Sequence, residues 1–446
     1  MKFLKKILKE ENFNSLLGNL SISALGFLSF ILLSRKLSQE VFGEWVIFTT
    51  AATLIDLLRF GLTRNAVITL SAGADKNTEN EIAASAFANG LLMVGLITAL
   101  FIPVYLLLPL HLRDGSIGMI LKWYPVLALC NIGWTNGVSV LQARMKFQSI
   151  LVMRSLNSGL YVLFLLILPG TFINRFGNIV VLFILTNLAS SVLSFFGKFD
   201  GLPYIHKAKK TRMLQIYNYG KYSVGSFLGS CLLRSADTFI IGLAPFLGPK
   251  GVAIYSIPMK LVEIMEIPLR SFSATAFPKL SAAFSKNNLG QLKSIFYTYS
   301  GVITSIFIPV VILCFIFAPQ LVLLLGGDQY YSDVRTMTLI FRIFSIYGLI
   351  LPIDRMSGIM LDSLNCPEMN FRKILMMLGL NIAGDLIAVF VFGSVEYVAV
   401  ATVVFTVFGA IAGWQMIRNR IGLNYKPVFT ESIGFYRNMI FKIRSI

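Results

Sequence analysis

Four charged residues lie inside an otherwise apolar segment, MKLVEIMEIPLR at 259–270. At about 100° per residue, an α-helix places all four on one face roughly 120° wide. Acidic and basic groups four residues apart can pair on such a face. The basic groups could bind an anion such as a phosphate, while the carboxylates could neutralise them or carry protons. The four residues are Lys260, Glu263, Glu266 and Arg270.

The composition places this helix in a membrane. Of the 446 residues, 56% are hydrophobic and only 13% are charged, and the mean hydropathy is +0.75. A soluble protein of this length could not cover so much apolar surface. We therefore predict an all-α, polytopic membrane protein. The net charge of +18 is interpreted as a feature of membrane topology, and no nucleic-acid partner is expected.

Twelve apolar runs of about 20 residues are each long enough to cross a bilayer. With the N-terminus inside, 24 Lys and Arg fall in the cytoplasmic segments and 7 in the outside connections, when residues at span edges are counted with the connections. This bias satisfies the positive-inside rule, so both termini are predicted to be cytoplasmic. The predicted spans are 14–34, 41–62, 86–108, 120–142, 147–168, 176–197, 216–242, 251–275, 295–318, 336–361, 371–393 and 397–417.

A basic connection at 198–215 separates two groups of six predicted spans. The C-terminal end is basic, with apolar residues at helical spacing, which indicates a helix on the cytoplasmic leaflet or a partly disordered tail. The predicted segments are an N-terminal six-helix lobe at 1–200, a cytoplasmic linker at 201–215, a C-terminal six-helix lobe at 216–417 and an amphipathic tail at 418–446.

The two groups of spans are predicted to form a parallel repeat, because six helices return the chain to the side on which it began. One alignment supports this: residues 41–60 match residues 251–270 at an offset of 210. Trp45 then aligns with Tyr255, and Asp56 aligns with Glu266.

Away from the edges of the predicted spans, charged residues number fourteen, eight basic and six acidic. Each costs about 2.5–3.5 kcal/mol near the bilayer centre, so each is expected to face water or a partner. The excess of basic residues favours an anionic ligand. The fourteen are Asp56, Arg59, Arg154, Lys221, Arg234, Asp237, Lys260, Glu263, Glu266, Arg270, Arg342, Asp354, Arg355 and Asp385.

Sequence spacing predicts which of these charges pair. The pairs predicted from spacing are Asp56 with Arg59, Arg234 with Asp237, and Glu266 with Arg270. Asp354 and Arg355 are interpreted as a structural pair because they lie toward the inner half of their span. Arg154 is expected to extend to the cytoplasmic interface. Asp385 has no evident partner in its own helix, and a functional role for it stays open. Glu263 and Glu266 either neutralise neighbouring basic groups or carry protons.

Chemistry that would indicate an enzyme is not found. The only histidines are His111 and His206, in connections on opposite sides of the membrane. No P-loop or nucleotide-binding fingerprint occurs, and the four cysteines are scattered. A membrane glycan polymerase or ligase would be expected to carry a large outside loop, and the outside connections are short. No cofactor or metal site is predicted.

Four segments resemble a known family. They are LSQEVFGEWVIFTT with LIDLLRFGL, ADTFIIGLAPFLGPKGVAIYSIPMKL, FPKLSAAF and LLLGGDQYYSDV. They are similar to bacterial polysaccharide flippases, the O-antigen and capsule repeat-unit exporters of the multidrug/oligosaccharidyl-lipid/polysaccharide exporter superfamily. The resemblance covers nearly the whole chain and implies twelve spans in two six-helix bundles.

This resemblance implies a function. Members move undecaprenyl-diphosphate-linked oligosaccharides from the cytoplasmic to the periplasmic leaflet by alternating access, through a cationic central cavity. The bacterial inner membrane is then the expected location. An H⁺ or Na⁺ gradient is the expected drive, and the expected partners are the lipid-linked anionic glycan, membrane lipids and a glycan polymerase or assembly machinery. The substrate-binding cations implied by the resemblance are Arg59, Lys221, Arg234, Lys260 and Arg270. The candidate coupling or charge-pairing acids are Asp237, Glu263 and Glu266, which the resemblance implies, together with Asp56 and Asp385, which are taken from the intramembrane charges.

Two other transport functions stay open. A multidrug/cation antiporter of the same superfamily would be expected to have an acid-dominated cavity, whereas basic residues are in excess here. A lipid II flippase typically has fourteen helices, whereas twelve spans are predicted.

Overall fold

The fold is known from a computed structural model, which describes residues 11–71 and 73–423 apart from the side chains of 11–21, 62, 111, 219–228 and 230. All regular secondary structure in these residues is helical, which confirms the predicted class. Twelve of the helices have 21 residues or more, one for each predicted span. They are α1 (Glu11–Lys36), α2 (Gln39–Ser71), α3 (Lys76–Leu107), α4 (Ser116–Ala143), α5 (Phe147–Ile167), α6 (Phe176–Phe196), α7 (Lys210–Leu243), α8 (Gly248–Ser285), α9 (Leu289–Ile316), α10 (Val334–Ser363), α11 (Pro367–Phe390) and α12 (Val395–Ile421).

Nine of the helices in the described residues are long and apolar enough to cross a bilayer. The chain is therefore a multi-pass membrane protein, as predicted. The helices outside this group are α1, α7 and α8, and α8 carries the four charges of the 259–270 segment. Twelve crossings and cytoplasmic termini stay predictions, and the predicted amphipathic helix within 427–446 lies outside the described residues.

Helix ends are set by local capping and turn chemistry. Asp75 caps α3, because its Oδ2 accepts hydrogen bonds from the amides of Asn77 and Thr78 at 3.1 and 3.3 Å. The α4–α5 and α10–α11 connections turn in the same way, with Met145 at φ 58° and Asn365 at φ 55°. Such left-handed residues close the end of a helix.

The chain divides into two compact units, unit 1 up to Cys231 and unit 2 from Leu232. The division lies inside α7, and the lobe and linker borders drawn from the sequence stay predictions. In unit 1, α4 packs against α2, α3 and α6. In unit 2, α10 packs against α8, α9 and α12. The fourth helix of each predicted six-helix group is thus central to its own unit.

Small residues allow close helix contacts in both units. In unit 1, a Cβ added at Gly137 of α4 would overlap Ser194 Oγ of α6. In unit 2, a Cβ added at Gly413 of α12 would overlap Ser357 Oγ of α10. The polar side chains of these serines therefore occupy space that only glycine leaves free.

The basic connection after α6 is docked against α3 and α4 and is partly helical. A 3₁₀ helix covers Leu202–Lys207, and α7 begins at Lys210. The Asn136 side-chain amide of α4 donates to the carbonyls of Ala83 and Asp200, at 3.0 and 2.5 Å. Lys209 Nζ forms an ion pair with Glu81 Oε1 at 2.6 Å. These contacts hold the connection against unit 1.

Asp200 is buried in this docked connection, with 1% of its surface exposed. Its Oδ1 accepts a hydrogen bond from the Leu202 amide at 3.2 Å. Burial raises the pKa of Asp200 to about 6, because desolvation disfavours the carboxylate. The docked connection therefore binds a proton more tightly than the undocked one, and docking becomes more favourable as the pH falls through 6.

We predict that the connection at 198–209 is better protected at pH 5 than at pH 7.5. Hydrogen–deuterium exchange, corrected for intrinsic rates, should show slower local opening by up to about tenfold per pH unit, the limit for one proton. Asp200→Asn should abolish this pH dependence, and Asp114→Asn, in an exposed connection, should retain it. Equal protection of the wild-type connection at both pH values would contradict the assignment.

Candidate functional site

The charges of α8 lie where two prolines, Pro258 and Pro268, interrupt its backbone hydrogen bonding. Lys260 Nζ is 2.7 Å from Glu263 Oε2, so these two residues form an ion pair one turn apart. Arg270 Nη2 is 3.2 Å from Glu266 Oε2, which is the pair predicted from sequence spacing.

Arg234 of α7 joins the second of these pairs. Its Nη2 lies 2.5 Å from Glu266 Oε2, the same oxygen that Arg270 contacts. The side chains of Arg234 and Arg270 are 50% and 52% exposed, whereas that of Glu266 is 11% exposed. We call Arg234 and Arg270, held by Glu266, the arginine pair. It carries a net charge of +1, and each guanidinium has five N–H donors with which to bind an anion.

The predicted pairing of Arg234 with Asp237 is wrong. Asp237 lies one turn further along α7. Its side chain is directed into the interior of unit 2, and 2% of the residue's surface is exposed. Its Oδ2 accepts hydrogen bonds from the hydroxyls of Tyr255 and Thr402, the latter at 3.2 Å. Its Oδ1 accepts one from the Asn381 amide at 3.0 Å. Neutral donors from α8, α11 and α12 therefore satisfy this carboxylate.

Asp385 is next to this group. Its Oδ2 accepts a hydrogen bond at 3.1 Å from Asn381, which lies one turn earlier on α11. The expectation that Asp385 lacks a partner in its own helix is therefore wrong. Both residues are fully buried, and Asp385 Oδ1 and Asn381 Oδ1 have no hydrogen-bond partner in the described part of the protein. We call Asp237, Asp385, Asn381, Tyr255 and Thr402 the carboxylate cluster.

The carboxylate cluster brings two acids together without a basic residue. Among the described side chains, no Lys or Arg lies within 4.0 Å of Asp237 or Asp385. Two buried carboxylates cannot both stay ionised without a cation, because desolvation and their mutual repulsion are too costly. A proton shared between them or a bound cation would meet this requirement. Carboxylate, amide and hydroxyl oxygens are hard donors, which suit Na⁺ as well as H⁺.

The corresponding positions in unit 1 hold aromatic rings. Asn381 is residue 15 of α11 and Tyr161 is residue 15 of α5, while Thr402 and Phe183 are each residue 8 of α12 and α6. Trp45, the sequence counterpart of Tyr255, lies 5.9 Å from the Tyr161 ring and 5.3 Å from the Phe183 ring, between ring centroids. At these three positions unit 1 therefore has packed rings in place of Tyr255, Asn381 and Thr402, and the oxygen that they retain is the buried Tyr161 hydroxyl.

Asp56 and Arg59 form the predicted pair in unit 1, with Arg59 Nη2 2.7 Å from Asp56 Oδ1. Arg59 also donates to the Ala128 carbonyl at 2.6 Å and to Asn131 Oδ1. Tyr124 donates to Asp56 Oδ1 at 2.8 Å. Because only 2% of Arg59 is exposed, its guanidinium is enclosed in this structure and neutralises Asp56. Its predicted contact with a substrate would require that this enclosure open.

Another predicted pair, Asp354 with Arg355, is wrong. Asp354 Oδ1 instead lies 2.8 Å from the Nζ of Lys373, a residue of α11 that was not among the fourteen intramembrane charges. Arg342 donates to the Phe315 carbonyl at 3.3 Å, and Arg154 is half-buried on α5. Lys221 belongs to α7, but its side chain lies outside the description.

Sequence reasoning missed Tyr255, Asn381, Thr402 and Lys373. Asn381 carried a signal, because it precedes Asp385 by four residues and so shares its helix face. Tyr255 and Thr402 reach Asp237 from other helices, which spacing along one helix cannot indicate. Lys373 lies near the start of α11, where a lysine usually extends to the interface.

We predict that the Asp56–Arg59 pair stabilises unit 1. Arg59→Leu leaves Asp56 without a counter-ion and should cost about 3–5 kcal/mol, the usual effect of breaking a buried pair. A lower thermal unfolding midpoint of the purified protein would report this loss. Removing both charges, in Asp56→Leu/Arg59→Leu, should cost less than the single change, and Arg64→Leu, at an exposed position, should have little effect. A single variant as stable as the wild type would exclude this role.

Comparison with solved structures shows the fold of a known transporter superfamily. An inward-facing multidrug resistance MATE family transporter of the MOP superfamily superimposes with a TM-score of 0.73 at 17% identity, covering 90% of this chain and 94% of that chain. A MOP superfamily transporter from Pyrococcus furiosus, described as having a binding pocket of reverse polarity that suggests a different function, gives a TM-score of 0.61 at 18% identity, covering 93% and 95%.

A curated relative matches part of the chain. It is a probable low-salt glycan biosynthesis flippase, Agl15, of Haloferax volcanii, 26% identical over 187 residues. The match covers 42% of this chain and 38% of the relative, so it spans well under half of either protein.

A family model described as polysaccharide biosynthesis protein matches residues 9–284. The match includes unit 1 from residue 9 onward, the arginine pair and two members of the carboxylate cluster, Asp237 and Tyr255. It confirms the resemblance identified in the sequence. The chain belongs to the polysaccharide biosynthesis protein family.

Proposed function

We propose that this protein is a transporter rather than an enzyme, and that it flips a lipid-linked glycan across the bacterial inner membrane. The substrate is an undecaprenyl-diphosphate-linked oligosaccharide, which moves from the cytoplasmic to the periplasmic leaflet by alternating access. Three findings support the proposal: the family, the MOP superfamily fold and the partial match to a glycan flippase. In the membrane, glycan assembly enzymes would supply the substrate to this protein, and other assembly enzymes would accept it after flipping.

The arginine pair is the observation that carries this proposal. Arg234 and Arg270 contact one oxygen of Glu266 at 2.5 and 3.2 Å, so their Nη2 atoms lie within 5.7 Å of each other. A single phosphate or diphosphate could therefore accept hydrogen bonds from both. Each guanidinium is half exposed within a predicted span, and a charge in that position is stable only where it meets an anion or water. A diphosphate supplies the anion.

A positively charged site also argues against the main alternative. A multidrug/cation antiporter has to attract a cationic substrate, and two half-exposed arginines would repel it. The MATE structures share only the fold with this chain, at 16–18% identity. A lipid II flippase would carry a diphosphate too, so the saccharide that accumulates in a deletion strain is what separates these two flippase functions.

The carboxylate cluster is the proposed coupling site, and its ligand is Na⁺ or H⁺. Asp237 and Arg234 lie one turn apart on α7, and Tyr255 and Glu266 lie on α8. The cluster also includes Asn381 and Thr402, so a bound cation draws α7 and α8 toward α11 and α12. Occupancy of the cluster would thereby change the position of the helices that carry the arginine pair, and this links the cation gradient to glycan movement.

We predict that the arginine pair is needed for flipping. Arg234→Ala and Arg270→Ala should each reduce the rate of flipping of a fluorescent undecaprenyl-diphosphate saccharide in proteoliposomes by about tenfold or more, because a charge-assisted hydrogen bond is worth about 1.5–3 kcal/mol. Arg212→Ala removes an arginine near the start of α7, where it contacts Gln215, and should flip at the wild-type rate.

The same assay can contradict the proposal. Unchanged flipping in both arginine variants would remove the pair from the mechanism. A wild-type protein that moves a cationic dye but no lipid-linked saccharide would establish the antiporter instead. In cells, deletion should leave the saccharide on its lipid carrier at the cytoplasmic leaflet.

We also predict that the carboxylate cluster carries the coupling. Asp385→Asn and Asp237→Asn keep the shape of the side chains but remove a negative charge, and each should abolish the acceleration of flipping by an imposed gradient. Separate Na⁺ and pH gradients identify the ion. Asp328→Asn, in an exposed connection, should retain the acceleration. Variants that respond to the gradient as the wild type does would show that coupling resides elsewhere.

A further inference from the structure

A second buried ion pair lies in unit 2, between α10 and α11. Lys373 Nζ is 2.8 Å from Asp354 Oδ1, 3.1 Å from the Asp354 carbonyl and 3.2 Å from Ser357 Oγ. These three acceptors match the three protons of an ammonium group. Lys373 is only 3% exposed, so the ammonium is fully enclosed.

The packing of α12 leaves room for this pair. A Cβ added at Gly409 would lie 2.8 Å from Asp354 Oδ1 and would overlap the Met377 sulfur. A Cβ added at Gly413 would overlap Ser357 Oγ. The two glycines, one turn apart, therefore form the wall opposite the pair, and no side chain of α12 takes part in holding Lys373.

The pair stands in line with the carboxylate cluster. Lys373, Met377, Asn381 and Asp385 recur at four-residue intervals on α11, and all four are buried. This spacing places them along one face of the helix over about 18 Å. On α12, Thr402 is followed one turn later by the buried Thr406.

Polar groups also continue from Lys373 toward the start of α11. Asn370 donates to both carboxylate oxygens of Asp362, at 3.0 and 3.1 Å. Asp362 lies at the end of α10, and Asn370 lies in the first turn of α11. We call the groups from Asp362 through Lys373 to Asp385 the polar column.

We propose that the polar column is the route by which a small cation reaches the carboxylate cluster from the α10–α11 turn, and that Lys373 is its gate. The inference rests on the proposed coupling function. Asp354 is the only carboxylate of the described polar column between the α10–α11 turn and the carboxylate cluster. The ammonium of Lys373 is already paired with it. A cation entering from the turn meets this positive charge and has to replace it at Asp354.

The chemistry of lysine suits a gate. Its ammonium is a compact charge on a flexible four-carbon stem, so it can leave Asp354 without displacing a helix. Met377 is the next residue along the face, and its unbranched thioether can change rotamer more readily than a branched side chain. A pair that served only to hold α10 against α11 would need neither a line of polar groups nor a flexible residue beside it.

The test is cation flux in the absence of glycan. Proteoliposomes containing the full chain are given a ²²Na⁺ gradient, or a pH gradient read by an internal pH dye. Lys373→Met removes the ammonium and leaves Asp354 free to admit a cation, so the substrate-free flux of the coupling ion should rise about fivefold or more. Lys293→Met, which removes a lysine bound to the Gly422 carbonyl on the surface of unit 2, should leave the flux unchanged.

Two double variants make the result decisive. Lys373→Met/Asp385→Asn should return the flux to the wild-type level, because the route ends at the cluster; a flux that stays high would overturn the route. If Lys373→Met does not fold, Lys373→Met/Asp354→Asn removes the whole pair, which is better tolerated than half of it. This variant should also show a raised flux, and a wild-type flux in it would overturn the gate.

Failure of the gate and failure of coupling give different results. If wild-type flipping responds to a gradient but neither Lys373 variant raises the flux, only the gate is excluded. If wild-type flipping ignores both gradients, the coupling function itself is excluded, and the gate with it.

Discussion

An unpaired charge in hydrocarbon costs more free energy than a single packing contact contributes. Charged side chains inside both units are therefore expected to lie beside a partner or water. Arg59 and Lys373 each lie fully enclosed beside an aspartate, so their charges are neutralised by the chain itself. Glu266 is shared between two arginines that are exposed. Among the buried acids of the predicted spans, Asp237 and Asp385 are the two that no described basic side chain neutralises, and this is why coupling is proposed for them.

Some contacts within one helix were predicted from the sequence, whereas none of the partners supplied by a second helix was predicted. The helices themselves and the pairs Asp56–Arg59 and Glu266–Arg270 follow from apolar run length and from spacing within a turn. Arg234 had an acid one turn away, yet Glu266 of α8 takes it, because Asp237 is held by donors from three other helices. The spacing of residues within α7 therefore cannot indicate which acid Arg234 contacts.

The two units share a plan but differ in what they enclose. In both, the fourth helix of the six-helix group is central, and the connection to the fifth helix has the same left-handed residue. These features depend on backbone geometry and small residues, which a duplicated chain can retain. The enclosed side chains are free to diverge, and oxygen ligands in unit 2 correspond to the Trp45, Tyr161 and Phe183 rings in unit 1.

The three packed rings of unit 1 bear on the energetics of the proposed gradient-driven cycle. With these rings at the corresponding positions of unit 1, the carboxylate cluster, as the proposed coupling site, would take one monovalent ion per turnover and so move one elementary charge across the membrane. That charge yields about 2.3 kcal/mol for every 100 mV of membrane potential, which corresponds to roughly a fiftyfold concentration ratio. At that stoichiometry this ratio would be the contribution of the membrane potential to glycan accumulation in the proposed cycle, and the concentration gradient of the ion would add to it.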